Sequence, residues 1–169
     1  MLSVIILCGQ ATPEAIVRTL APLVEAAVKG VVRDVVLAGL PAHQLEIIAD
    51  HAGCAFVEAR SEAEALAGSL AVARGDALMF LQAGHIPESG FFEEVEDLLA
   101  VGLPQGRRAR LLRAAPEKFL ERLFPQLAPN VGLIAARSAC EAAKISSFRH
   151  LCVVTRGRDP LRRRMRRIV

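Results

Sequence analysis

The first hundred residues alternate short apolar runs with longer amphipathic stretches. The apolar runs are Ser3–Leu7, Val31–Ala38, Cys54–Val57 and Ala77–Leu81, and each has the length of a β-strand. Helical periodicity in the three stretches between them gives the order βαβαβαβ. Because strands that are connected by helices pair in parallel, the sequence predicts an α/β domain with a mainly parallel sheet. We expect all four strands to be internal, with helices on both faces of the sheet.

Residues that start and end helices occur where this alternation requires them. Thr12 can cap a first helix that has Pro13 at its first position, and Ser61 with Glu64 has the spacing of a capping box. Gly53 follows the second helical stretch, where a glycine commonly ends a helix. These signals predict three helices whose ends agree with the positions of the four strands.

The size and composition of the chain favour a single domain. Its 169 residues are 53% hydrophobic, which suits one well-buried core and is too little chain for two. We therefore predict a domain over residues 1–159 and a short tail over residues 160–169. The apolar start has no basic segment before it and is cut short by Gly9, so we interpret it as a strand and expect a cytoplasmic protein.

The four cysteines are far apart in the sequence. Cys8, Cys54, Cys140 and Cys152 form no Cys-x-x-Cys pair, which argues against a zinc site and against a small disulfide framework. We expect free, buried thiols.

Charge is distributed unevenly along the chain. Residues 1–100 hold five Lys or Arg against fourteen Asp or Glu, a balance of −9, whereas residues 101–169 hold sixteen against four, a balance of +12. Such asymmetry favours two faces of one domain that attract each other, or an association with a second copy or another protein through the carboxyl-terminal part.

The last ten residues combine apolar and basic positions. Leu161, Met165 and Ile168 have helical spacing, which predicts a basic amphipathic helix that docks onto an acidic face of its own domain or of a partner. The arginines of this tail are Arg162, Arg163, Arg164, Arg166 and Arg167. Binding to the phosphates of anionic lipid or nucleic acid is the alternative. The chain has no Trp or Tyr to stack on bases, which argues against nucleic acid.

The rest of the carboxyl-terminal third is predicted to form an outer layer of the domain. The run from Arg107 to Leu112 predicts a strand, and Pro116 is placed to start a helix that carries Phe119, Leu120, Leu123 and Phe124. The apolar run Leu151–Val154 predicts a further strand.

The order and spacing of these landmarks resemble the family-2 glycosyltransferases of the GT-A fold, which transfer a sugar from a nucleotide diphosphate donor. Ser3–Ile6 and Val31–Ala38 are similar to the first two strands of the family. Ala73–Leu81 is similar to the fourth strand, with Pro87 after it, and Pro129–Ala135 resembles the later acceptor-side strand. The resemblance implies a single-domain, Rossmann-like GT-A three-layer sandwich with a mainly parallel central sheet.

The resemblance also implies a nucleotide-sugar pocket at the carboxyl ends of the strands. Its candidate residues here are Leu7, Cys8, Gly9, Gln10, Gly39, Leu40, Pro41, Gln82, Ala83, Gly84 and His85.

The chain departs from the family at the positions that carry the chemistry. The family's base-reading Asp is absent from Gly39-Leu40-Pro41, and its metal-binding aspartates are replaced by Gln82-Ala83-Gly84-His85, which offers one amide and one imidazole. Hard divalent cations need several oxygen ligands, so we predict that this loop binds no metal.

Other polar residues are weak candidates for catalysis. The stretch where the family carries its catalytic base, residues 144–159, contains no carboxylate before Asp159, and we interpret its His150 as a surface histidine. Glu62 and Glu64 are expected to cap and solubilise their helix. The acidic group Glu93, Glu94, Glu96 and Asp97 is expected to form the solvated face of a helix.

Two functions from different classes follow from this resemblance and its departures. The first is a catalytically inactive glycosyltransferase-like protein with weak or no nucleotide-sugar binding, which acts as a binding or regulatory module. The alternative is a family-2 glycosyltransferase with full or residual activity that uses a nucleotide-sugar donor. No cofactor is expected for the first, and Mg²⁺ or Mn²⁺ is expected for the second.

Overall fold

The computed structural model of the protein describes residues 1–103, 109–124, 127–142, 145–155 and 159–168. Its strands are β1 (Leu2–Leu7), β2 (Val32–Gly39), β3 (Ala55–Glu58), β4 (Ala77–Gln82), β5 (His85–Pro87), β6 (Ala109–Arg113), β7 (Asn130–Ala136), β8 (Asp159–Pro160) and β9 (Met165–Arg167). Its helices are α1 (Pro13–Val28), α2 (His43–His51), α3 (Glu62–Val72), α4 (Phe91–Val101), α5 (Phe119–Leu123), α6 (Arg137–Glu141) and α7 (Phe148–Val154). Within the described ranges, none of these helices is both long and apolar enough to cross a bilayer.

Within the described residues, the main sheet has seven strands in the order β3-β2-β1-β4-β7-β6-β8. The first four strands of this order pair in parallel, β7 runs antiparallel to both of its neighbours, and β8 is parallel to β6. A second sheet pairs β5 with β9. The predicted α/β architecture with a mainly parallel sheet is confirmed.

One strand occupies a different place from the one predicted. The strand at Cys54–Val57 was expected to be internal, but β3 pairs with β2 alone among the described strands and forms an edge of the sheet. β3 lies at the edge because α3 leads the chain back across the sheet to β4, which pairs with β1. The half-buried Phe56 and Val57 are consistent with an edge position.

Apolar side chains cover both faces of the sheet. Ile16, Leu20 and Leu23 of α1 pack in one core cluster with alternate residues of β1. Leu66 of α3 and Leu151 of α7 belong to a second cluster with Ile5, Leu78 and Phe80. Because side chains alternate between the two faces of a strand, these clusters place helices on both faces, as the sequence predicted.

The predicted helix starts are present in the structure. The Thr12 hydroxyl accepts a hydrogen bond from the amide of Ala15 at 3.3 Å, and the Ser61 hydroxyl accepts one from the amide of Glu64 at 3.2 Å. The Glu64 carboxylate in turn accepts from the amide of Arg60 at 2.8 Å. Local sequence therefore determines where α1 and α3 begin.

A buried polar network joins β1 and β2 to the turn before β4. The Ser3 hydroxyl donates to the Asp34 carboxylate and accepts from the amide of Gly75 at 2.6 Å. The second oxygen of Asp34 accepts from the amide of Arg74 at 2.9 Å. A Cβ atom at Gly75 would lie 2.7 Å from the Ser3 Oγ, so this close approach requires glycine. The network fixes the amino-terminal edge of the sheet, opposite the candidate site.

The predicted strand at Leu151–Val154 is wrong, because these residues belong to α7. The Ser147 hydroxyl caps this helix by accepting from the amide of His150 at 3.1 Å, and the Glu62 carboxylate accepts from the amide of Phe148 at 3.1 Å. A run of four apolar residues does not by itself distinguish a buried helix from a strand. Glu62 therefore caps a helix other than its own.

The remaining predictions for this region are partly confirmed. The predicted strand from Arg107 to Leu112 matches β6, although residues 107 and 108 lie outside the described residues. The predicted helix after Pro116 begins only at Phe119. Pro129–Ala135 corresponds to β7.

The predicted helix in the tail is also wrong, because the segment forms two short strands, β8 and β9, joined by a bend at residues 162 and 163. Leu161 and Met165 are buried, and β9 pairs with β5. The Glu94 carboxylate accepts from the amides of Arg162 and Arg163 at 2.8 and 2.9 Å. These hydrogen bonds hold the segment in place, whereas an isolated helix of about ten residues is only marginally stable in water. The segment thus contacts acidic residues of its own domain through its backbone amides.

Candidate functional site

A cleft lies at the carboxyl ends of β1, β2 and β4. It consists of a cavity of about 510 Å³ and a larger one of about 650 Å³. Gln10, Ala11, Gln82 and Ala83 line both cavities, so the two are adjacent. Ligand sites of α/β folds commonly occupy this edge of the sheet, and this cleft is the candidate site.

The smaller cavity lies between the loops that follow β1 and β2. Of the predicted pocket residues, Leu7, Cys8, Gly9, Gln10, Gly39 and Leu40 line it, whereas Pro41 lines neither cavity. A Cβ atom at Gly39 would lie 3.0 Å from the Cys8 Cβ and 3.3 Å from the Leu45 Cδ1, so glycine allows these loops to pack closely.

Cys8 lines the smaller cavity. Cys8 is 3% exposed, and burial raises the pKa of its thiol to about 11. A thiol with this pKa is protonated at neutral pH and is a poor nucleophile or metal ligand. Cys8 therefore contributes a packing surface to the cavity.

The larger cavity is lined by the end of β4, the two-residue turn after it and the start of β5, which together are called here the loop after β4. These residues are Gln82, Ala83, Gly84 and His85. Gly84 has a φ of +87° and donates its amide hydrogen to the Thr19 hydroxyl at 3.0 Å. The Gly84 carbonyl accepts from the amide of Ile168 at 2.8 Å. Helix α1 and the carboxyl-terminal segment therefore hold this loop from two sides.

His85 is partly buried within this loop. Its Nδ1 lies 3.2 Å from the carbonyl oxygen of Gln82. Burial lowers the pKa of His85, and the nearby charge of Arg167, its partner in the β5–β9 pair, lowers it further. The imidazole is therefore neutral at pH 7 and can donate or accept one hydrogen bond towards the cavity.

The residues of this loop do not fit the divalent cation that the fold family implies. Gln82 offers one amide oxygen and His85 one imidazole nitrogen, whereas Mg²⁺ is held by several oxygen ligands in an octahedral arrangement. Among the described residues there is no group of three His, Cys, Asp or Glu side chains that could hold a metal ion. The sequence-based prediction of a metal-free loop therefore remains a prediction, now supported by the donor set.

The larger cavity also contains charged residues that sequence reasoning missed. They come from α1, from the segment that leads into α5 and from α5 itself, namely Glu14, Arg18, Glu117, Lys118 and Glu121. The Glu121 carboxylate accepts from the amides of Glu117 and Lys118 at 3.0 and 3.3 Å. Arg167, which was predicted only as part of the basic tail, lines this cavity as well. The sequence did contain a signal for Arg18, because a residue one turn into the helix that follows β1 lies near the carboxyl end of that strand.

Other candidates lie away from the cleft or have structural roles. His150 lines neither cavity, and its Nδ1 lies 3.1 Å from the Ser146 hydroxyl. In the acidic group of α4, Glu93, Glu96 and Asp97 are exposed as predicted, but Glu94 holds the carboxyl-terminal segment.

Solved structures provide the comparison with known proteins, since no protein-family model and no curated protein matches this sequence. A crystal structure of glucosyl-3-phosphoglycerate synthase from Mycobacterium tuberculosis in complex with Mn²⁺, UDP and glucosyl-3-phosphoglycerate matches with a TM-score of 0.54 at 22% sequence identity. The mannosyl-3-phosphoglycerate synthase from Rubrobacter xylanophilus matches with a TM-score of 0.54 at 13% identity. The fold is that of the GT-A glycosyltransferases.

This GT-A likeness covers most of the chain but only part of its neighbours. Both matches include 82% of this chain, against 57% of the glucosyl enzyme and 54% of the mannosyl enzyme. The chain thus spans little more than half the length of either neighbour. At these identities the likeness establishes the fold alone, and function must be argued from the site.

Proposed function

We propose that this GT-A domain is a binding or regulatory module that does not catalyse metal-dependent glycosyl transfer. The observation that carries the proposal is the loop after β4, where Gln82 and His85 supply the only functional side chains of residues 82–85 at the cleft. Without clustered carboxylates, this loop cannot hold a cation that would neutralise a leaving diphosphate.

The cleft itself supports a binding role. Each cavity, at about 510 and 650 Å³, has the size of a small-molecule site. The cations Arg18, Lys118 and Arg167 line the larger cavity beside the carboxylates of Glu14 and Glu117. This mixture suits a polar ligand that presents both anionic groups and hydrogen-bond donors. Because the mycobacterial neighbour was crystallised with UDP, nucleoside diphosphates are the first ligands to test.

The alternative function is an active glycosyltransferase that works without the usual metal loop. One observation favours it, namely that His85 and Glu117 line the same cavity. Histidine and carboxylate side chains are common general bases. The two functions predict different outcomes with a nucleotide-sugar donor, because only an active glycosyltransferase would release the nucleotide from it.

Calorimetry with UDP, GDP and dTDP tests the proposed use of the cleft. Gln82 borders both cavities, so Gln82→Ala should weaken the binding of any nucleotide that the cleft accepts by about fivefold, the effect of one hydrogen bond. Gln44→Ala on the exposed surface of α2 is the matched control and should bind as the unmodified protein does. Binding that Gln82→Ala leaves unchanged, or turnover of UDP-glucose at a rate typical of enzymes, would contradict the proposal.

A further inference from the structure

Helix α1 has an apolar stripe on the side that faces away from the sheet. The α1 stripe consists of exposed residues spaced by four, three and four positions, namely Val17, Ala21, Val24 and Val28. These positions lie within an arc of about 60° on the helix, roughly 130° from the side that Ile16 and Leu23 bury in the core. Such spacing is typical of the contact seam between two packed helices. A surface helix normally turns its apolar residues towards its own core, so the α1 stripe requires a partner of another kind.

A groove between α1 and α2 lies at one end of the α1 stripe. It has a volume of about 470 Å³, and Val17 lines it from α1. The α2 residues that line it are the uncharged Gln44, Ile47 and Ile48. Val28, at the other end of the stripe, is 84% exposed and projects from the surface. One end of the stripe therefore offers a recess and the other end a side chain that could fill it.

A row of charges lies beside the α1 stripe. Its members are exposed and alternate in sign along the helix, namely Glu14, Arg18, Glu25 and, directly after the end of α1, Lys29. They lie within an arc of about 60° that borders the stripe on one side. Within the domain, the Lys29 Nζ lies 2.8 Å from the Glu25 Oε1 and 3.8 Å from the Glu93 Oε1 of α4. These pairs are exposed, so the charges remain accessible to a partner.

The order of these charges is complementary to itself when two copies of α1 are antiparallel. A two-fold axis near Pro22, in the middle of the helix, brings Glu14 opposite Lys29 of the second copy and Arg18 opposite Glu25 of the second copy. Because both charge rows then lie on the same side of the contact, every facing pair has opposite signs. A parallel pair would instead place each charge opposite its own equivalent, which is unfavourable. The sequence of α1 therefore favours a second copy of this chain, in one orientation.

We propose that the protein forms a symmetric dimer in which α1 packs antiparallel against α1 of a second copy. Val17 of one copy contacts Val28 of the other, and Ala21 contacts Val24. Each Val28 enters the groove between α1 and α2 of the other copy. Two helices of 16 residues, each about 24 Å long, form a small interface, so we expect a dissociation constant in the micromolar range. The inference goes beyond the proposed function, because it requires nothing of the chemistry in the cleft.

Sedimentation equilibrium of the full chain over a range of micromolar concentrations tests the proposal. The mean mass should rise with concentration from that of a monomer towards twice that value. Val24→Glu/Val28→Glu places four carboxylates in the interface and should weaken dimerisation by about tenfold or more. The matched control is Val101→Glu/Val153→Glu, which changes two valines that are 89% and 69% exposed in α4 and α7. It should dimerise as the unmodified protein does.

Charge reversal tests the direction of packing. Arg18→Glu and Glu25→Arg should each weaken the dimer by about tenfold or more, because each places like charges opposite one another. The double variant Arg18→Glu/Glu25→Arg restores opposite signs at both contacts and should dimerise as the unmodified protein does. A loss of helix stability in the single variants could not produce this recovery, since the double variant contains both changes.

Four results would overturn the proposal. They are a monomer mass at every concentration, equal losses in the two valine variants, no recovery in the double charge reversal, and a dimer that Phe119→Ser/Leu123→Ser dissociates. The last result would place the interface on α5, where Phe119 and Leu123 are 74% and 59% exposed. Calorimetry with UDP tests the cleft separately, because Val24 and Val28 line neither cavity.

Discussion

Met165 provides a direct test of whether the carboxyl-terminal segment is part of the core. Its side chain is fully buried, with an exposure of 0%, in the cluster that includes Phe91 and Val95 of α4. Its carbonyl accepts a hydrogen bond from the amide of Ala115 at 2.7 Å. A frayed tail would make neither interaction, so the two descriptions predict different effects of truncating this side chain.

Met165→Ala should lower the free energy of unfolding by about 2–3 kcal/mol. Truncation of a buried Met costs about 2–5 kcal/mol, and the lower part of this range applies because β9 is a short strand that can relax into the cavity. In a domain of this size the loss corresponds to a melting temperature lower by roughly 5–10 °C. Urea and thermal unfolding followed by circular dichroism would measure both quantities.

The neighbouring residue supplies the control. Arg166 is exposed on the same strand, and Arg166→Ala should change the stability by no more than about 0.5 kcal/mol. If Met165→Ala were as stable as Arg166→Ala, the carboxyl-terminal segment would not be packed in solution, and its assignment as a core strand would be refuted.

Three further perturbations probe other parts of the structure. Ser3→Ala should cost about 1–3 kcal/mol in urea unfolding, because it leaves buried polar partners unsatisfied; a neutral effect would contradict the network. Glu94→Ala should lower the free energy of unfolding by about 1–2 kcal/mol, because it removes a charged acceptor from two amides. Glu96 is exposed, so Glu96→Ala should leave the stability unchanged. Equal effects of the two substitutions would contradict the contact between Glu94 and the carboxyl-terminal segment. Burial raises the pKa of Cys8 to about 11 and that of Cys140 to about 12, so between pH 9 and 11 the unfolded chain loses thiol protons that the folded one keeps. The free energy of unfolding should therefore fall by about 1 kcal/mol for each thiol and each unit of rising pH. If the urea midpoint of a Cys8→Ala/Cys140→Ala variant fell as steeply between pH 9 and 11, this cause would be excluded.

Sequence patterns predicted the first half of the fold because its signals are local. The cap at Thr12 and the capping box at Ser61 lie within a few residues of the hydrogen bonds that they form. The edge position of β3 could not be read in this way, because it depends on where the chain continues after α3. Position in a sheet is a property of topology, and it is not encoded in the strand's own residues.

The carboxyl-terminal segment shows why short elements were mispredicted. Leu161 and Met165 are four residues apart, a spacing that fits one face of a helix. The extended conformation prevails because Glu94 and Glu88, more than sixty residues earlier, accept hydrogen bonds from the amides of Arg162 and Arg164. Contacts at such separations are not visible in a local pattern.

The candidate site was predictable where it is formed by the ends of strands. Gln82–His85 and the loop after β1 lie in the cleft because parallel strands present their carboxyl ends on one edge. Lys118 and Glu117 were missed, since the chain reaches the cleft there only after crossing the antiparallel part of the sheet. Their charges make the larger cavity polar, so the polarity of the site could be recognised only from the structure.

The metal dependence of nucleotide binding tests the central claim most directly. UDP would be titrated into the full chain by calorimetry, once with Mn²⁺ and once with a chelator. Because Gln82 and His85 cannot form an oxygen-rich site, we predict dissociation constants that agree within about threefold, or no measurable binding in either case. UDP binding that is at least tenfold tighter with Mn²⁺ would contradict the account and favour a metal-dependent glycosyltransferase.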